Sequence, residues 1–259
     1  MVIHQIKVLQ AVISAIAEGG RGVTGTAFPQ QPVKALKLYE FEGSPFCRRV
    51  REVITLLNLD VEIYPCPKGG KKYRSVVKEK GGKLQFPFLI DENTGDQLYE
   101  SQDIIHHLFK HYGKTGKTPQ KFSSYPNMPY VAVAGTILNG ARGVWINKKI
   151  VDTAAPEQKL ELWSFEASPY SRIVRSLLSE LELPYILHNV AKERWQDMGP
   201  AIFRLKPGKY IPLKDGKREK LLPIMQGKMQ VPYLVDPNTG VKMFESAQIV
   251  KYLKKQYGH

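Results

Sequence analysis

The sequence has 259 residues, of which 42% are apolar and 10% aromatic, and it carries a formal net charge of +14. This length suggests about two domains, and the composition excludes an intrinsically disordered chain. Only two cysteines, Cys47 and Cys66, are present, which excludes a disulfide scaffold and favours a reducing compartment. The excess positive charge is concentrated in residues 114–159 and 192–230. A solvated surface and an anionic partner, either an acidic protein or a membrane surface, are both open interpretations.

The first predicted element is an amphipathic helix over residues 4–18, which ends at Gly19-Gly20. Its apolar side chains recur near helical spacing, and this predicts that they pack into a core. They are Ile6, Leu9, Val12, Ile13 and Ile16. The segment is too short and too often interrupted by polar residues to span a bilayer. A signal peptide is not expected either, because a similar lead-in precedes the second half of the chain.

A series of strands and helices follows, with turn residues between them. The predicted elements are a strand at 36–40, a helix from Pro45 to about Leu57, a strand at 60–64, a basic loop and short helix over 67–80, hairpin strands at 86–90 and 97–99, and a helix from Ser101 to Tyr112-Gly113. A polar linker at 114–125 leads to a second predicted helix at 129–140. The same order of elements begins again at residue 160.

The sharpest local motif is Ser44-Pro45-Phe46-Cys47, between the first strand and its helix. Serine suits the N-cap, and proline suits the first helical position. The spacing is that of a C-x-x-C redox motif with serine in place of the first cysteine. In such a motif the N-cap thiol is the reactive one, because helix N–H groups and the helix dipole stabilise its thiolate. Here that position holds a hydroxyl.

The chain repeats itself. Residues 38–51 match residues 162–175 at an offset of 124, and residues 86–95 match residues 231–240 at an offset of 145. Tyr99-Glu100-Ser101 likewise matches Phe244-Glu245-Ser246. The second copy therefore holds 21 extra residues, which lie in its basic region.

The order β-α-β-α-β-β-α, with these motifs, resembles the thioredoxin fold of glutaredoxins and most closely the N-terminal domain of glutathione transferases, present twice. The strings at 65–69 and 81–88 resemble tandem-domain proteins of cyanobacteria and chloroplasts, which implies a cytoplasmic or chloroplast location. In that group the first motif is often Cys-Pro-Phe-Cys, so Ser44 is a departure, natural or engineered.

The resemblance implies an α/β protein of two thioredoxin-like units without an all-helical transferase domain. We expect a first unit at 1–113, a basic linker with a lead-in helix at 114–159, and a second unit at 160–259 with a basic insertion near 192–230. Each unit is expected to have its own lead-in helix, and no continuous sheet is expected to cross both units.

The resemblance also implies glutathione as co-substrate and a set of binding residues. Phe86 would offer its main chain to the cysteinyl part of glutathione if the bond to Pro87 is cis. Glu100-Ser101 would place helix N–H groups near the γ-glutamyl carboxylate, although Ser101 can equally be a simple N-cap. The second-copy equivalents are Ser168, Val231, Pro232, Glu245 and Ser246.

Three interpretations of the first corner stay open. Ser44 could donate its hydroxyl to a glutathione thiolate, Cys47 could be a thiol nucleophile, or the site could be degenerate and only cap the helix. Ser168 and Ser171 leave the second copy without a thiol, and arginines 48, 49 and 51 are expected on a solvated helix face unless they fold back. Cys66 follows the second strand and could act as a resolving thiol, or simply be a loop cysteine.

His106, His107 and His111 include an i, i+4 pair that could bind a metal. Their second-copy counterparts, Lys251, Tyr252 and Gln256, favour a variable exposed helix face instead, so no metal is expected. Two functions follow. One is a glutathione-binding thiol oxidoreductase or transferase acting at the Ser44-Pro45-Phe46-Cys47 corner of the first unit, with the second unit as a degenerate structural or docking copy. The other is a non-catalytic adaptor that docks an acidic protein or a membrane surface through the linker and insertion. No specific nucleic-acid partner is expected.

Overall fold

The computed structural model describes residues 2–17, 19–123, 133, 135–147, 155–199 and 210–258. The first unit contains α1 (Val2–Ala17), β1 (Leu36–Glu40), α2 (Pro45–Leu56), β2 (Val61–Pro65), α3 (Arg74–Gly81), β3 (Phe88–Asp91), β4 (Asp96–Leu98), α4 (Ser101–Tyr112) and α5 (Gln120–Ser123). The second unit contains β5 (Leu160–Ser164), α6 (Pro169–Glu180), β6 (Tyr185–Asn189), a 3₁₀ turn (Trp195–Asp197), α7 (Lys217–Ile224), β7 (Tyr233–Asp236), β8 (Val241–Phe244) and α8 (Ser246–Tyr257). The predicted order is therefore present twice. Most of the predicted helix at 129–140 lies outside the described residues, although residues 133 and 135–138 are helical.

The strands form one eight-stranded sheet in the order β4-β3-β1-β2-β6-β5-β7-β8. Within each unit the first two strands run parallel and the hairpin runs antiparallel. The units meet where β2 pairs antiparallel with β6, with Val61 opposite Leu187 and Ile63 opposite Tyr185. The expectation that no sheet crosses both repeats is therefore wrong. Pairing these two strands removes one exposed edge from each unit, since a free edge presents unpaired N–H and C=O groups.

The hydrophobic core is continuous across the two units for the same reason. Side chains of the two central strands and of helices α2, α4, α6 and α8 belong to one buried cluster. Among its members are Leu36, Val61, Ile63, Leu160, Tyr185 and Leu187, each at most 3% exposed. Because apolar burial contributes roughly 25 cal/mol per Å², this shared core stabilises the pair of units as one body.

Among the described residues, helix α1 packs mainly against α6 of the second unit. Its buried side is formed by Val8, Ala11 and Ser14. Ser14 Oγ donates a hydrogen bond to the carbonyl of Gly135 (2.8 Å) and accepts one from Arg172 Nη1 (2.5 Å). Small residues allow this close approach of the two lead-in segments.

The apolar stripe that was expected to enter the core is instead exposed. Ile6, Leu9, Ile13 and Ile16 are 44–72% exposed, and so is Ile3. The prediction of core packing is therefore wrong for these side chains. No helix among the described residues is both long enough and apolar enough to cross a membrane.

Candidate functional site

The first strand-to-helix corner has the local geometry that its sequence predicts. Ser44 is the N-cap of α2, its Oγ accepts the N–H of Cys47 (3.3 Å), and Pro45 occupies the first helical position. The second corner repeats this arrangement, where Ser168 Oγ accepts the N–H of Ser171 (3.3 Å). Each cap satisfies one N–H that the first helical turn would otherwise leave unpaired. In both corners the serine keeps its own O–H proton available for donation.

Both thiols of the first unit are buried. Cys47 and Cys66 are 0% exposed and unpaired. Burial, reinforced by the charge of Glu40, raises the pKa of Cys47 to about 12, and burial also raises the pKa of Cys66 well above its usual range. Because the thiolate is the reactive species, this environment argues against Cys47 as a nucleophile and against Cys66 as its resolving partner.

The arginines that follow the corner are also buried. Arg48, Arg49 and Arg51 are each at most 3% exposed, so the prediction of a solvated helix face is wrong. Arg51 binds Glu166 of the second unit through two nitrogens, at 2.9 and 3.2 Å, and it also pairs with Glu40. Such two-point contacts are the strong form of a charge-assisted hydrogen bond.

The second unit makes the equivalent arginine–glutamate contact to the first unit. Arg175 binds Glu42 through two nitrogens, at 3.1 and 3.0 Å. Arg51 further donates to the carbonyl of Glu42, and Arg175 donates to the carbonyl of Glu166. The four side chains are each buried, so they form a reciprocal ion-pair cluster between the two corners. Burial alone would raise the pKa of Glu166, but the arginines Arg175, Arg51 and Arg48 overcome it and lower the pKa to about 2.

Two segments that follow the lead-in helices close over these corners, each on the opposite unit. Residues 22–26 run beside Lys192 of the second unit, where Gly22 accepts the N–H of Ala167 (3.1 Å). Residues 141–147 run beside Lys68 of the first unit, and Gly143 accepts the N–H of Gly43 (3.5 Å). We call these segments the straps. The first corner is therefore shielded by a strap that precedes the second unit.

Glycine is required at the point where each strap meets an interface glutamate. Gly22 has φ +77, and an added Cβ would lie 2.6 Å from Glu166 Cβ. Gly143 has φ +73, and an added Cβ would lie 2.8 Å from Glu42 Cβ. Both the positive φ and the contact exclude a larger residue. The matching strings Gly20-Arg21-Gly22 and Ala141-Arg142-Gly143 thus have a packing role through their last glycine.

The proline loops and the last helices complete each corner. The Phe86–Pro87 and Val231–Pro232 bonds are cis. Helices α4 and α8 start at Ser101 and Ser246, and their N-caps Glu100 and Glu245 have the uncommon φ values of 60 and 68. Backbone outliers of this kind concentrate at ligand sites.

A glutamine ties the proline loop to the helix start in both units. Gln230 Nε2 donates to Glu245 Oε1 (2.6 Å), and Gln85 makes the same bond to Glu100. No local motif marks these glutamines. The signal that could have found them is their identity at the offset of 145, one residue before each matched X-Pro pair.

A cavity of about 690 Å³ lies at the second corner. It brings together all five second-copy residues that the sequence predicted. They are Ser168, Val231, Pro232, Glu245 and Ser246. The cationic side chains Lys192 and Arg218 also line it, together with Asp197. This volume is within the range of small-molecule sites, which combine apolar walls with a few polar groups.

Helix α1 forms part of the wall of this cavity. Gln5 and Val12 line it, and His4 Nε2 lies 3.0 Å from Ser246 Oγ. An imidazole from the lead-in of the first unit thus reaches the helix start of the second. Sequence reasoning missed this contribution, because the contact joins residues 242 positions apart and no local pattern reports it.

The three histidines of α4 do not share one exposed face. His107 is 7% exposed, and its Nε2 lies 2.8 Å from Asp91 Oδ2, so the interpretation as a variable exposed face is wrong for this residue. His106 faces away and contacts Gln102 and Thr118.

The repeated order of elements and the shared sheet show that the protein consists of two thioredoxin-like units joined edge to edge. Residues 38–117 match the family profile described as glutathione S-transferase, N-terminal domain, and residues 167–256 match a second profile with the same description. The chain therefore belongs to the proteins with tandem glutathione S-transferase N-terminal domains. Comparison with curated proteins and with solved structures gives no match.

Proposed function

We propose that the chain binds glutathione in the cavity of the second unit. The observation that carries the proposal is the convergence of Ser168, the cis Val231–Pro232 loop and the Glu245-Ser246 helix start on one cavity. The main chain of Val231 would bind the cysteinyl part of the peptide. The N–H groups at the start of α8 would bind the γ-glutamyl carboxylate, because helix N-termini favour anions.

The charges that line the cavity suit the same ligand. Glutathione has two carboxylates and one ammonium group, and Lys192 and Arg218 lie on the wall together with the carboxylate of Glu245. Ser168 would donate its O–H to the glutathione sulfur, because its oxygen already accepts the N–H of Ser171. The first unit, with Phe86, Pro87, Glu100 and Ser101, is proposed as a second glutathione site.

Binding, and not thiol–disulfide exchange, is the activity that we propose for the first corner. A redox role would need a thiolate at Cys47, and burial raises its pKa to about 12. A transferase role at the second corner needs a wall for the second substrate. Helix α1 supplies such a wall through Gln5 and Val12. It would take the place of an all-helical transferase domain, which is not among the matched regions.

The test is titration calorimetry with millimolar glutathione on the full chain and on two matched variants. Glu245→Ala should weaken binding about tenfold or more, because it removes a charged hydrogen-bonding group worth roughly 1.5–3 kcal/mol. Glu100→Ala, the same change in the first unit, should leave that binding event unchanged. Absence of heat with the unmodified chain, or equal affinity in both variants and the parent, would overturn the proposal.

A second candidate function rests on the exposed face of α1. Ile3, Leu9 and Ile16 are 72%, 59% and 72% exposed, and a stripe of such side chains is uncommon on a soluble surface. Lys254 and Arg142 lie close enough to Lys7 of this helix to act on its charge: burial first, and then these two like charges, lower the pKa of Lys7. The helix therefore has several cations beside it. An apolar helix face with neighbouring cations suits an anionic membrane surface. We propose this surface as the docking partner of an adaptor role.

Sedimentation with anionic phospholipid vesicles tests this second function. The chain should bind vesicles that contain anionic lipid and release them at high salt, because screening weakens the ionic part of the contact. Ile6→Ser and Ile13→Ser together should abolish binding, since neither side chain is buried and the fold should persist. Vesicle binding that is unaffected by these two changes would exclude the α1 face as the docking surface.

A further inference from the structure

A group of three metal-ligating side chains lies on the first unit, away from both corners. Asp96 is in β4, and His107 and His111 are one turn apart in α4. One ligand atom from each residue lies within 4.8 Å of the other two. His107 Nδ1 is 3.5 Å from Asp96 Oδ2, and the two imidazole rings are 4.5 Å apart between centroids. The hairpin and the helix thus bring together a His, His, Asp set.

Asp91 fixes the orientation of His107. Asp91 is 0% exposed, and its Oδ2 lies 2.8 Å from His107 Nε2 and also accepts the O–H of Tyr112 (2.6 Å). Its Oδ1 accepts two bonds from Asn93. A carboxylate with these donors acts only as an acceptor, so His107 Nε2 carries the proton. The lone pair of His107 is then on Nδ1, which faces Asp96.

This leaves two acceptor atoms facing each other across 3.5 Å. Such a contact is repulsive unless a cation lies between them, and the cation can be a proton or a metal ion. A third donor favours the metal, because His111 is placed at i+4 on the same helix face. Ligands of a tetrahedral zinc ion, bound at about 2.0–2.1 Å, lie roughly 3.3 Å apart. His107 and Asp96 already have nearly this separation, and the ligand atom of the half-buried His111, within 4.8 Å of both, has to approach by up to about 1.5 Å to reach the spacing of a zinc site.

The arrangement of Asp91, His107 and the ligand position has the form of a known metal-site device. Ligating histidines commonly donate their second ring N–H to a carboxylate, which fixes the tautomer and increases the basicity of the ligand. We propose that Asp96, His107 and His111 bind a divalent late first-row metal ion, with zinc as the reference ion. The nitrogen and oxygen donors suit this class of metal, and a water molecule would complete the coordination. The ion would join β4 to α4.

The second unit shows that fold alone does not require these residues. There, Tyr252 replaces His107 and donates its O–H to Asp236 Oδ2 (2.5 Å), the equivalent of Asp91. Val241 and Gln256 stand at the positions of Asp96 and His111. Tyr257 also donates its O–H to Asp236 Oδ2, as Tyr112 does to Asp91. Two tyrosines thus hold this aspartate without a histidine, and the first unit adds ligand atoms beyond this structural need.

The second unit also supplies the matched variant. Asp96→Val, His107→Tyr and His111→Gln together give the first unit the side chains that the second unit already accommodates. Equilibrium dialysis and calorimetry with zinc chloride, on the full chain without an affinity tag, should show one zinc ion per parent chain. The triple variant should bind at least about a hundredfold more weakly at this site, because loss of even an outer hydrogen-bond partner costs 10–100-fold.

A second readout separates a metal ion from a proton. In the parent chain, zinc should shift the imidazole nitrogen resonances of His107 and His111. The resonances of His188, which pairs with Asp60 and Glu161, should stay unchanged and serve as the control. The single variant His107→Tyr keeps a donor to Asp91 and should lose the binding event. Zinc binding of equal affinity and stoichiometry in the parent and the triple variant would overturn the proposal. Unshifted His107 and His111 resonances at saturating zinc would do so independently of any variant.

Discussion

The two strand-to-helix corners are built on the same backbone and differ in what surrounds them. Both have a serine cap 3.3 Å from the N–H that it accepts, a cis X-Pro loop and a helix start with a positive-φ glutamate. The first corner adds a buried thiol and Glu40, whereas the second has Ser171 and Ser164 and opens on a cavity. The comparison separates residues that build the interface between the units from residues that give each corner its own chemistry.

Some of the residues common to both corners build the interface and not the corner itself. Glu42 and Arg51 correspond to Glu166 and Arg175, and these four form the reciprocal pairs. A residue shared by two copies of a motif is therefore no proof of a role in ligand binding. The variable positions, above all Cys47 and Ser171, are the ones that distinguish the chemistry of the corners.

The largest effect is expected from breaking one reciprocal pair. Arg51→Leu or Arg175→Leu should lower the free energy of unfolding by about 3–5 kcal/mol, because each removes the cation that binds a buried glutamate of the opposite unit at two points and leaves that charge only partly compensated. Arg51 pairs with three glutamates, so its loss should cost more than that of Arg175. Urea unfolding measures the difference. Glu42→Leu combined with Arg175→Leu should recover part of the loss, and an equal cost for single and double variants would contradict the pairing.

Alkylation of cysteine sharpens the contrast between the corners. At neutral pH the thiolate fraction of Cys47 should be about a thousandfold below that of a free cysteine, since its pKa is raised to about 12 by burial. Mass spectrometry after iodoacetamide treatment should find Cys47 and Cys66 unmodified in the native chain.

Two cap variants extend that measurement. Ser168→Cys should react faster than Ser44→Cys, because Ser168 lines the cavity, whereas a strap covers the residue before the serine in both corners, Gly43 and Ala167. The other native thiol, Cys66, is removed as background with Cys66→Ser. Faster reaction at Ser44→Cys would mean that the cavity does not give the reagent access to position 168.

Acid should weaken the interface through Glu166. Its pKa is lowered to about 2 in the folded chain from a reference value of 4.5, so the folded state binds this proton less readily than the unfolded state. The resulting stabilisation, roughly 3 kcal/mol, is present above pH 4.5 and is lost as the pH falls towards 2. Urea midpoints over this pH range measure it. Glu166→Gln should flatten the slope, and an unchanged slope in that variant would assign the acid sensitivity to other groups.

The smallest effect is expected at the caps. Ser44→Ala and Ser168→Ala should each lower the free energy of unfolding by about 1 kcal/mol, because each removes one N-cap hydrogen bond. The two losses should be equal, since the cap distances are equal. Ser171→Ala is the control, because its buried hydroxyl has no hydrogen-bond partner within the described residues. Thermal unfolding followed by circular dichroism can resolve this difference.

Local features of the fold could be predicted from the sequence because they depend on neighbouring residues. The cap at Ser44, the hairpin between β3 and β4 and the start of α4 at Ser101 each follow from side chains within a few positions. The same holds for the second copy, since the motif is repeated. The grouping of Ser168, Val231 and Glu245 at one cavity followed from the fold that the repeat implied.

The remaining features depend on contacts between distant parts of the chain. The alternation of apolar residues in β2 would be the same if β2 were an edge strand or if it paired with β6. The sequence of β2 therefore does not indicate that the sheet continues into the second unit. In α1 the apolar stripe dominated the pattern, whereas the packed side consists of Val8, Ala11 and Ser14, residues that permit close approach. Arginines in a helix look solvated until a partner for each is known, and Glu166 lies 115 positions from Arg51.

Because each strap lies on the opposite unit, the molecule resembles a domain-swapped dimer whose two subunits are joined in a single polypeptide. Each strap closes over the opposite unit, through residues 22–26 and 141–147, and the interface contacts are reciprocal, as in a two-fold symmetric pair. The tether replaces a concentration-dependent association with an intramolecular one, for which the effective concentration is in the millimolar range. Because the tether keeps the two halves together upon dilution, their corners can differ without loss of the interface, as they do at Cys47 and Ser171.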